Sequence, residues 1–290
     1  MLGGPVRAEA GPEQATRTQE AAMTGPTQTF QLSVEAAEAY EARFVPAIFA
    51  EWAPHLVEAA GVAPGQAVLD VACGTGVVAR TAADRMGGRG RVAGADLNEG
   101  MLAVARRLRP DLEWHRAEAS DLPFEDGAFD AVLCQSALMF FPDRVGALRE
   151  MARVATGGGT VAVQVWDRLE AQEGYGAMYG AFARHLGPEA AGLGGAYWAL
   201  GDLELLGSLF EAAGLTVTGV RTRVGTVRFG SATEAVATEI EATPLAASID
   251  PATHRRILDA GVEAMARFVV DGGRVELPIG GHLVTAVAPG

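Results

Sequence analysis

Val68-Leu69-Asp70-Val71-Ala72-Cys73-Gly74-Thr75-Gly76 is the stretch whose reading decides the fold. Residues 67–71 form a short apolar strand tipped by an acid, and a tight glycine turn follows at once. Residues 75–86 read as a helix closed by Gly87-Gly88. A second strand, 91–95, ends in another acid, Asp96, about twenty residues after the turn. Strand, glycine turn, helix and acid-tipped strand together make a nucleoside-binding half-unit. The glycines let backbone approach a ligand, and the new helix offers free N–H groups and a positive dipole end. Asp96 is placed to accept hydrogen bonds from ribose hydroxyls.

The same rhythm continues outward. Residues 98–108 read as a helix capped by Asn98 and stopped before Pro110. Strands are expected at 112–116, 128–134 and 160–166, with a helix at 144–154 and Gly157-Gly158-Gly159 in its loop. Five strand signals with helices between most of them argue for an α/β chain with a doubly wound, mostly parallel sheet. From Asp167 the rhythm breaks. Residues 167–203 carry Tyr175, Met178, Tyr179, Phe182, His185, Tyr197 and Trp198 among many glycines, which reads as an inserted lid. Beyond it, helices are expected at 203–213, 231–245 and 251–269, and strands at 215–229 and 282–288. Ahead of the motif, residues 30–61 read as helix anchored by Tyr40, Phe44, Phe49 and Trp52, broken by Pro46 and Pro54. Residues 1–29 hold no aromatic residue and read as a disordered tail. One domain over 30–290 is therefore expected, with N-terminal helices at 30–61 and the lid at 167–203.

Composition narrows the partners. The formal charge of −13 argues against nucleic acid, whose phosphates need a basic field. All 23 basic residues are arginine, so no mechanism can use a lysine of the chain. No apolar stretch is long enough for a bilayer and no signal peptide is evident. The two cysteines, Cys73 and Cys134, lack metal-ligand spacing, and no metal site is expected. A reducing cytoplasmic compartment fits best.

The ligand follows from what surrounds the turn. A dinucleotide cradle prefers a third glycine, and here Gly74-Thr75-Gly76 runs into Val77, Val78 and Ala79. Asp70 at the strand tip would repel a pyrophosphate but suits a nucleoside that carries a cationic amine. At this point the chain resembles the class I S-adenosylmethionine-dependent methyltransferases, in the branch typified by ubiquinone and menaquinone biosynthesis. The resemblance rests on residues 68–80, 92–106, 117–143 and 147–166, in the family's order and spacing.

The resemblance implies a Rossmann-like fold of seven strands, the last antiparallel to the rest. It implies S-adenosyl-L-methionine as cofactor and S-adenosyl-L-homocysteine as product. Asp70, Ala72, Cys73, Gly74 and Gly76 would wrap the methionine portion. Asp96 would bind the ribose, Leu97 and Met101 would pack on the adenine, and Glu118 with the Ala119 N–H would meet its edge. Glu118 stands where the family usually has aspartate. Gln135 would lie beside the methionine amine, and Phe140 would border the acceptor.

Methyl transfer from a sulfonium is an in-line displacement driven by proximity. A base is needed only if the nucleophile must lose a proton. His185, in the aromatic lid, is the first candidate; His282 reads as structural. Tyr40, Tyr175 and Tyr179 are expected on the acceptor side. The lid suits a mid-sized apolar or aromatic small molecule, and no nucleic-acid or stable membrane partner is expected. A monomer or homodimer is anticipated. A nicotinamide-dependent oxidoreductase and a non-catalytic S-adenosylmethionine-binding protein are the rival readings.

Overall fold

The computed structural model describes residues 32–187, 195–241 and 249–290, so the tail expected at 1–29 lies outside the described residues. Helix α1 (Val34–Phe44) begins at Ser33, whose hydroxyl accepts the Ala36 N–H. It leads through one π-helical turn (Val45–Phe49) into α2 (Ala53–Ala59). The two prolines break the stretch as expected. Pro46 cannot donate, which frees the wider turn, and Pro54 sits in the first turn of α2, where its missing N–H costs little.

The motif then folds as read. Strand β1 (Ala67–Val71) turns into α3 (Val77–Met86), and β2 (Arg91–Asp96) turns into α4 (Glu99–Leu108). Gly87, at φ 61°, closes α3, and the Asn98 side chain caps α4 at the Met101 N–H. The chain continues through β3 (Glu113–Arg116), β4 (Phe129–Gln135), α5 (Arg144–Val154) and β5 (Ala155–Trp166). Next come α6 (Glu173–Leu186), α7 (Gly195–Trp198), α8 (Leu203–Ala212) and β6 (Thr216–Phe229). It ends with α9 (Ala232–Glu241), α10 (Pro251–Met265) and β7 (Val275–Val287).

The strands form one seven-stranded sheet in the order β3-β2-β1-β4-β5-β7-β6. β7 is antiparallel to both its neighbours, β5 and β6, and the other pairs are parallel. Strand order reverses direction at β1, with β2 on one side and β4 on the other. The crevice at the carboxyl ends of β1 and β4 is therefore the ligand position of a doubly wound sheet. The central strands are buried along nearly their whole length, as parallel strands covered on both faces must be.

Three boundaries differ from the sequence reading. β5 starts at Ala155, because the glycine triplet is absorbed as a bulge: Phe129 pairs with Ala155 but Ala131 with Thr160. β7 starts at Val275, seven residues early. Pro278 is tolerated because this half of β7 pairs only with β6, leaving its other edge free of ladder bonds. The lid also extends beyond 167–203. α6 packs on α10 and α10 on α9. Gly261 of α10 permits that contact, since a Cβ there would lie 2.6 Å from Val236 of α9 and 3.0 Å from Phe182 of α6. Residues 188–194 of the expected lid lie outside the described residues.

Gly76 is the backbone position on which the cradle turns. Its φ of 87° favours glycine, and a Cβ there would sit 2.4 Å from the Trp114 ring. Gly76→Ala is expected to cost roughly 2–4 kcal/mol, adding left-handed strain to overpacking. Gly88→Ala, at φ 72° with open space around it, should cost only the strain, about 1 kcal/mol. Urea denaturation of the two variants checks this; equal losses would show that the Trp114 contact does not matter.

Candidate functional site: the crevice at the carboxyl ends of β1, β2 and β4

Two carboxylates grip the glycine turn. Asp96, the last residue of β2, accepts the Gly74 N–H at 2.8 Å through Oδ2 and the Asn98 N–H at 2.8 Å through Oδ1. Asp70 is almost fully buried, and its Oδ2 accepts the Ala79 N–H in the first turn of α3 at 2.9 Å. Asp70 thus braces the turn from behind, while Asp96 keeps accessible surface. Burial pushes both acids up, Asp70 to about 8; the Ala79 N–H and Arg80 act against the shift. Backbone strain collects at the same place. Ala72 and Ser136, which follow the tips of the adjacent strands β1 and β4, hold φ of 55° and 54°. Such conformations persist in non-glycine residues only where the surroundings impose them.

The turn faces unspent polar atoms. Gln135, at the tip of β4, donates through Nε2 to the Phe49 carbonyl at 3.1 Å, and its buried Oε1 has no partner. The buried Thr75 hydroxyl is likewise unpaired. A Cβ on Gly74 would meet only the Tyr40 ring edge, at 4.0 Å, so space opens between the turn and α1. Orphaned buried acceptors are rare enough to imply an absent donor.

Aromatic side chains wall that space. Tyr40 stacks on Phe44 (5.6 Å) and on Phe49 (5.5 Å), and Phe140 meets Tyr197 edge-on at 5.0 Å. On α6, Tyr175 and Tyr179 share the buried face; Tyr175 touches Trp198 (5.1 Å) and the Tyr179 hydroxyl donates to Glu239 on α9. Desolvation pushes the Tyr40 and Tyr197 hydroxyls up, and neighbouring acids add to the shift.

The structure brings Tyr40, Asp70, Ala72, Cys73, Gly74, Gly76, Asp96 and Gln135 together at the ends of β1, β2 and β4, whereas Phe140 follows β4 and Tyr175 and Tyr179 lie on the buried face of α6. Leu97 and Met101, half-buried, flank Asp96 at the start of α4, and half-buried Ala119 packs against the core. Glu118 is exposed beyond β3. His185 does not join the site: it is exposed in the last turn of α6. Its segment is aromatic-rich, but the aromatic residues turn inward and the histidine does not. His282 is buried and satisfied, with Nδ1 2.9 Å from the Thr222 hydroxyl and Nε2 3.2 Å from the Gly201 carbonyl. Both cysteines are free and buried, with thiols pushed up by desolvation, so neither is poised to react. Among the described residues no group of three or more His, Cys, Asp or Glu could hold a metal. A polar hollow at the start of β2 is closed by the pairs Arg91–Glu113 and Arg109–Asp111, each 2.8 Å, and offers no unpaired group.

Glu239 and Tyr197, which contact the candidates Tyr179 and Phe140, and Thr75 were not singled out by sequence reasoning. Thr75 lay inside the motif, and only its orphaned hydroxyl marks it out.

Part of the chain matches known proteins. Residues 69–163 match the family described as methyltransferase domain. Over 112 residues the chain is 43% identical to demethylmenaquinone methyltransferase of Renibacterium salmoninarum, a match covering 39% of this chain and 46% of that protein. The chain spans about half the length of the curated relatives it matches. Among solved structures, Haemonchus contortus phosphoethanolamine N-methyltransferase 2 with S-adenosyl-L-methionine superposes at a TM-score of 0.58 and 18% identity, over 91% of this chain and 59% of that one. The cyclase SpnF superposes at 0.52 and 21% identity, over 83% and 80%. The two have different names for their chemistry, so this likeness speaks for the fold alone. The family match thus covers residues 69–163, about a third of the chain, and the fold is that of the methyltransferases among these solved structures. The sequence similarity of that part runs to proteins named demethylmenaquinone methyltransferase and ubiquinone/menaquinone biosynthesis C-methyltransferase.

The raised acids set a pH dependence. Asp70 has a pKa of about 8 in the folded chain against an ordinary 3.8. Between these values the folded state holds more protons than the unfolded state, so stability falls as pH rises from about 4 to about 8 and is level above. Asp96 and Glu239 are raised too and add the same sign. Urea midpoints at about pH 5, 7 and 9 should decline in that order, with a flatter profile for Asp70→Asn. Stability that climbs across this window would contradict the assignment.

Proposed function

We propose that this chain binds S-adenosyl-L-methionine in the crevice beside Gly74 and catalyses transfer of its methyl group to a small-molecule acceptor. The observation that carries the reading is the convergence of unspent acceptors on one strained turn: the accessible carboxylate of Asp96, the orphaned Oε1 of Gln135 and the orphaned hydroxyl of Thr75. A nucleoside with ribose hydroxyls and an amino-acid ammonium supplies donors to such a set, and the space in front of Gly74 admits close backbone approach. Asp96 would take the ribose hydroxyls with its remaining lone pairs. Gln135 would accept from the ammonium, its orientation set by the Phe49 carbonyl. Leu97 and Met101 would flank the adenine, with Ala119 and Glu118 at its edge.

When bound, the cofactor supplies an already activated methyl group. The chain then has to hold the acceptor in line and keep water out. Tyr40, Phe140, Tyr175 and Tyr197 would form the walls of that compartment, and the enclosed setting strengthens every fixed dipole within it. Proximity and alignment supply most of the acceleration, so no nucleophilic side chain is required. An acceptor from quinone-type or natural-product biosynthesis fits an aromatic-walled pocket of this kind.

Calorimetry with S-adenosyl-L-homocysteine tests the reading. Asp96→Ala removes a charged acceptor for two hydroxyls and is expected to weaken binding by roughly ten- to a hundredfold. Failure of the wild-type protein to bind, or equal affinity in the variant, would overturn it.

A further inference from the structure

The two central strands part at the crevice. β1 and β4 stay in register only as far as Asp70 opposite Leu133. Beyond that point each tip follows its outer neighbour. β1 runs on beside β2 to Val71 opposite Ala95, and the Cys73 N–H then donates to the Ala95 carbonyl at 3.0 Å. β4 runs on beside β5 to Gln135 opposite Gln164, and the Ser136 N–H donates to the Gln164 carbonyl at 2.9 Å. The left-handed residues Ala72 and Ser136 lie at these two departures. On each side a polar side chain of the outer strand adds to the backbone bond. Asp96 of β2 takes the Gly74 N–H, and Oε1 of Gln164 on β5 takes the Ser136 hydroxyl. Gln164 is fully buried among the apolar residues of β5, and its Nε2 has no partner. An amide in that place costs desolvation that leucine would avoid. It lies against Gly281 of β7, where a Cβ would come within 3.1 Å of Nε2 and 2.8 Å of the Trp52 ring. The missing Cβ leaves room for the amide nitrogen on the β7 side, with the oxygen turned toward β4.

We propose that Gln164 is a positioning residue for the methyl transfer: by clamping Ser136 in its left-handed conformation, it holds the tip of β4 toward β5 and keeps the crevice open. The inference rests on the reading of the crevice as a cofactor site. Gln164 touches neither cofactor nor acceptor; it acts through Ser136. Two candidate side chains depend on that tip. Gln135, just ahead of Ser136, carries the unspent oxygen that would take the cofactor's ammonium. Phe140 follows in the helical turn Leu138–Phe140 and meets Tyr197. Serine disfavours the left-handed region, because its Cβ crowds the following carbonyl. Relaxation at Ser136 would re-aim that turn and let the tip of β4 drift back toward β1. The main-chain bond from Ser136 to β5 needs no particular side chain. The side-chain bond needs an acceptor at position 164, and that is the part of the clamp written in the sequence. Strain of this kind persists only where the surroundings over-determine it.

Calorimetric titration of the full chain with S-adenosyl-L-homocysteine provides the test. Q164L removes the acceptor at similar size and should weaken binding about tenfold, the equivalent of one buried hydrogen bond. S136A loses the hydroxyl and keeps the strain, so it should weaken binding by a similar factor. The variant carrying both changes should be no worse than either alone, because they break the same bond. Glycine gives the distinguishing readout, since it adopts a φ near the 54° of Ser136 without strain. S136G should bind within about threefold of the wild-type protein, and S136G added to Q164L should recover most of the lost affinity. A defect in core packing alone would not be rescued in this way. If Q164L does not fold, S136A against S136G decides by itself. Q164L binding as tightly as wild type, additive losses in Q164L and S136A, no rescue of Q164L by S136G, or S136G binding as weakly as S136A would overturn the proposal. Failure of the wild-type protein to bind S-adenosyl-L-homocysteine would instead count against the cofactor reading.

Discussion

The structure depends on how two enclosed carboxylates hold backbone amides at the ends of β1 and β2. Asp70 takes an N–H of α3, and Asp96 takes one N–H from the turn and another at the entry to α4. Helix starts carry orphan N–H groups and a partial positive charge, so an acid there is stabilised twice, by hydrogen bond and by dipole. That compensation is incomplete, since both acids remain raised. The turn between them has to be glycine-rich because the grip leaves no other route: Gly74 and Gly76 are left-handed, and Trp114 fills the space beneath Gly76 and Gly94. Loosening any one of these pieces would move Gly74 and with it the floor of the crevice.

The second dependence is between distant segments. The π-helical turn of the N-terminal segment presents the Phe49 carbonyl to Gln135, which fixes that amide with its oxygen buried and unspent. The same segment brings Tyr40 over the turn. On the lid helices the Tyr179 hydroxyl joins α6 to Glu239 of α9, and the short α7 sets Tyr197 against Phe140 beyond the tip of β4.

This explains which features were legible in the sequence. The β1–α3–β2–α4 unit was readable because each piece is specified locally: apolar strands, acids at their tips, Asn98 as a cap, Gly87 as a stop. The reversal of β7 followed from family resemblance, whereas its start at Val275 was hidden by Pro278 and two glycines that normally argue against a strand. Glu239 had no local signal at all, being one of several acids on α9. Only the packing of α9 against α10, with α6 on α10's other contact, turns that acid inward. His185 failed for the reverse reason. Its neighbourhood has the right composition, but composition does not say which way one residue of a helix faces.

Three acids, Asp70, Asp96 and Glu239, are raised by burial in a chain with a formal charge of −13 and no lysine. A fold needs none of that negative charge for its stability; each acid costs desolvation that an apolar residue would avoid. Such an arrangement makes sense when positive charge is what enters. On the proposed reading, a sulfonium with an ammonium is the charge that the acids at the strand tips receive. The fold is shared with proteins whose named chemistry differs, including a cyclase, so the reaction has to be decided where the walls differ rather than where the floor is common. In this chain those walls are aromatic: Tyr40 with Phe44 and Phe49, and Phe140 with Tyr197.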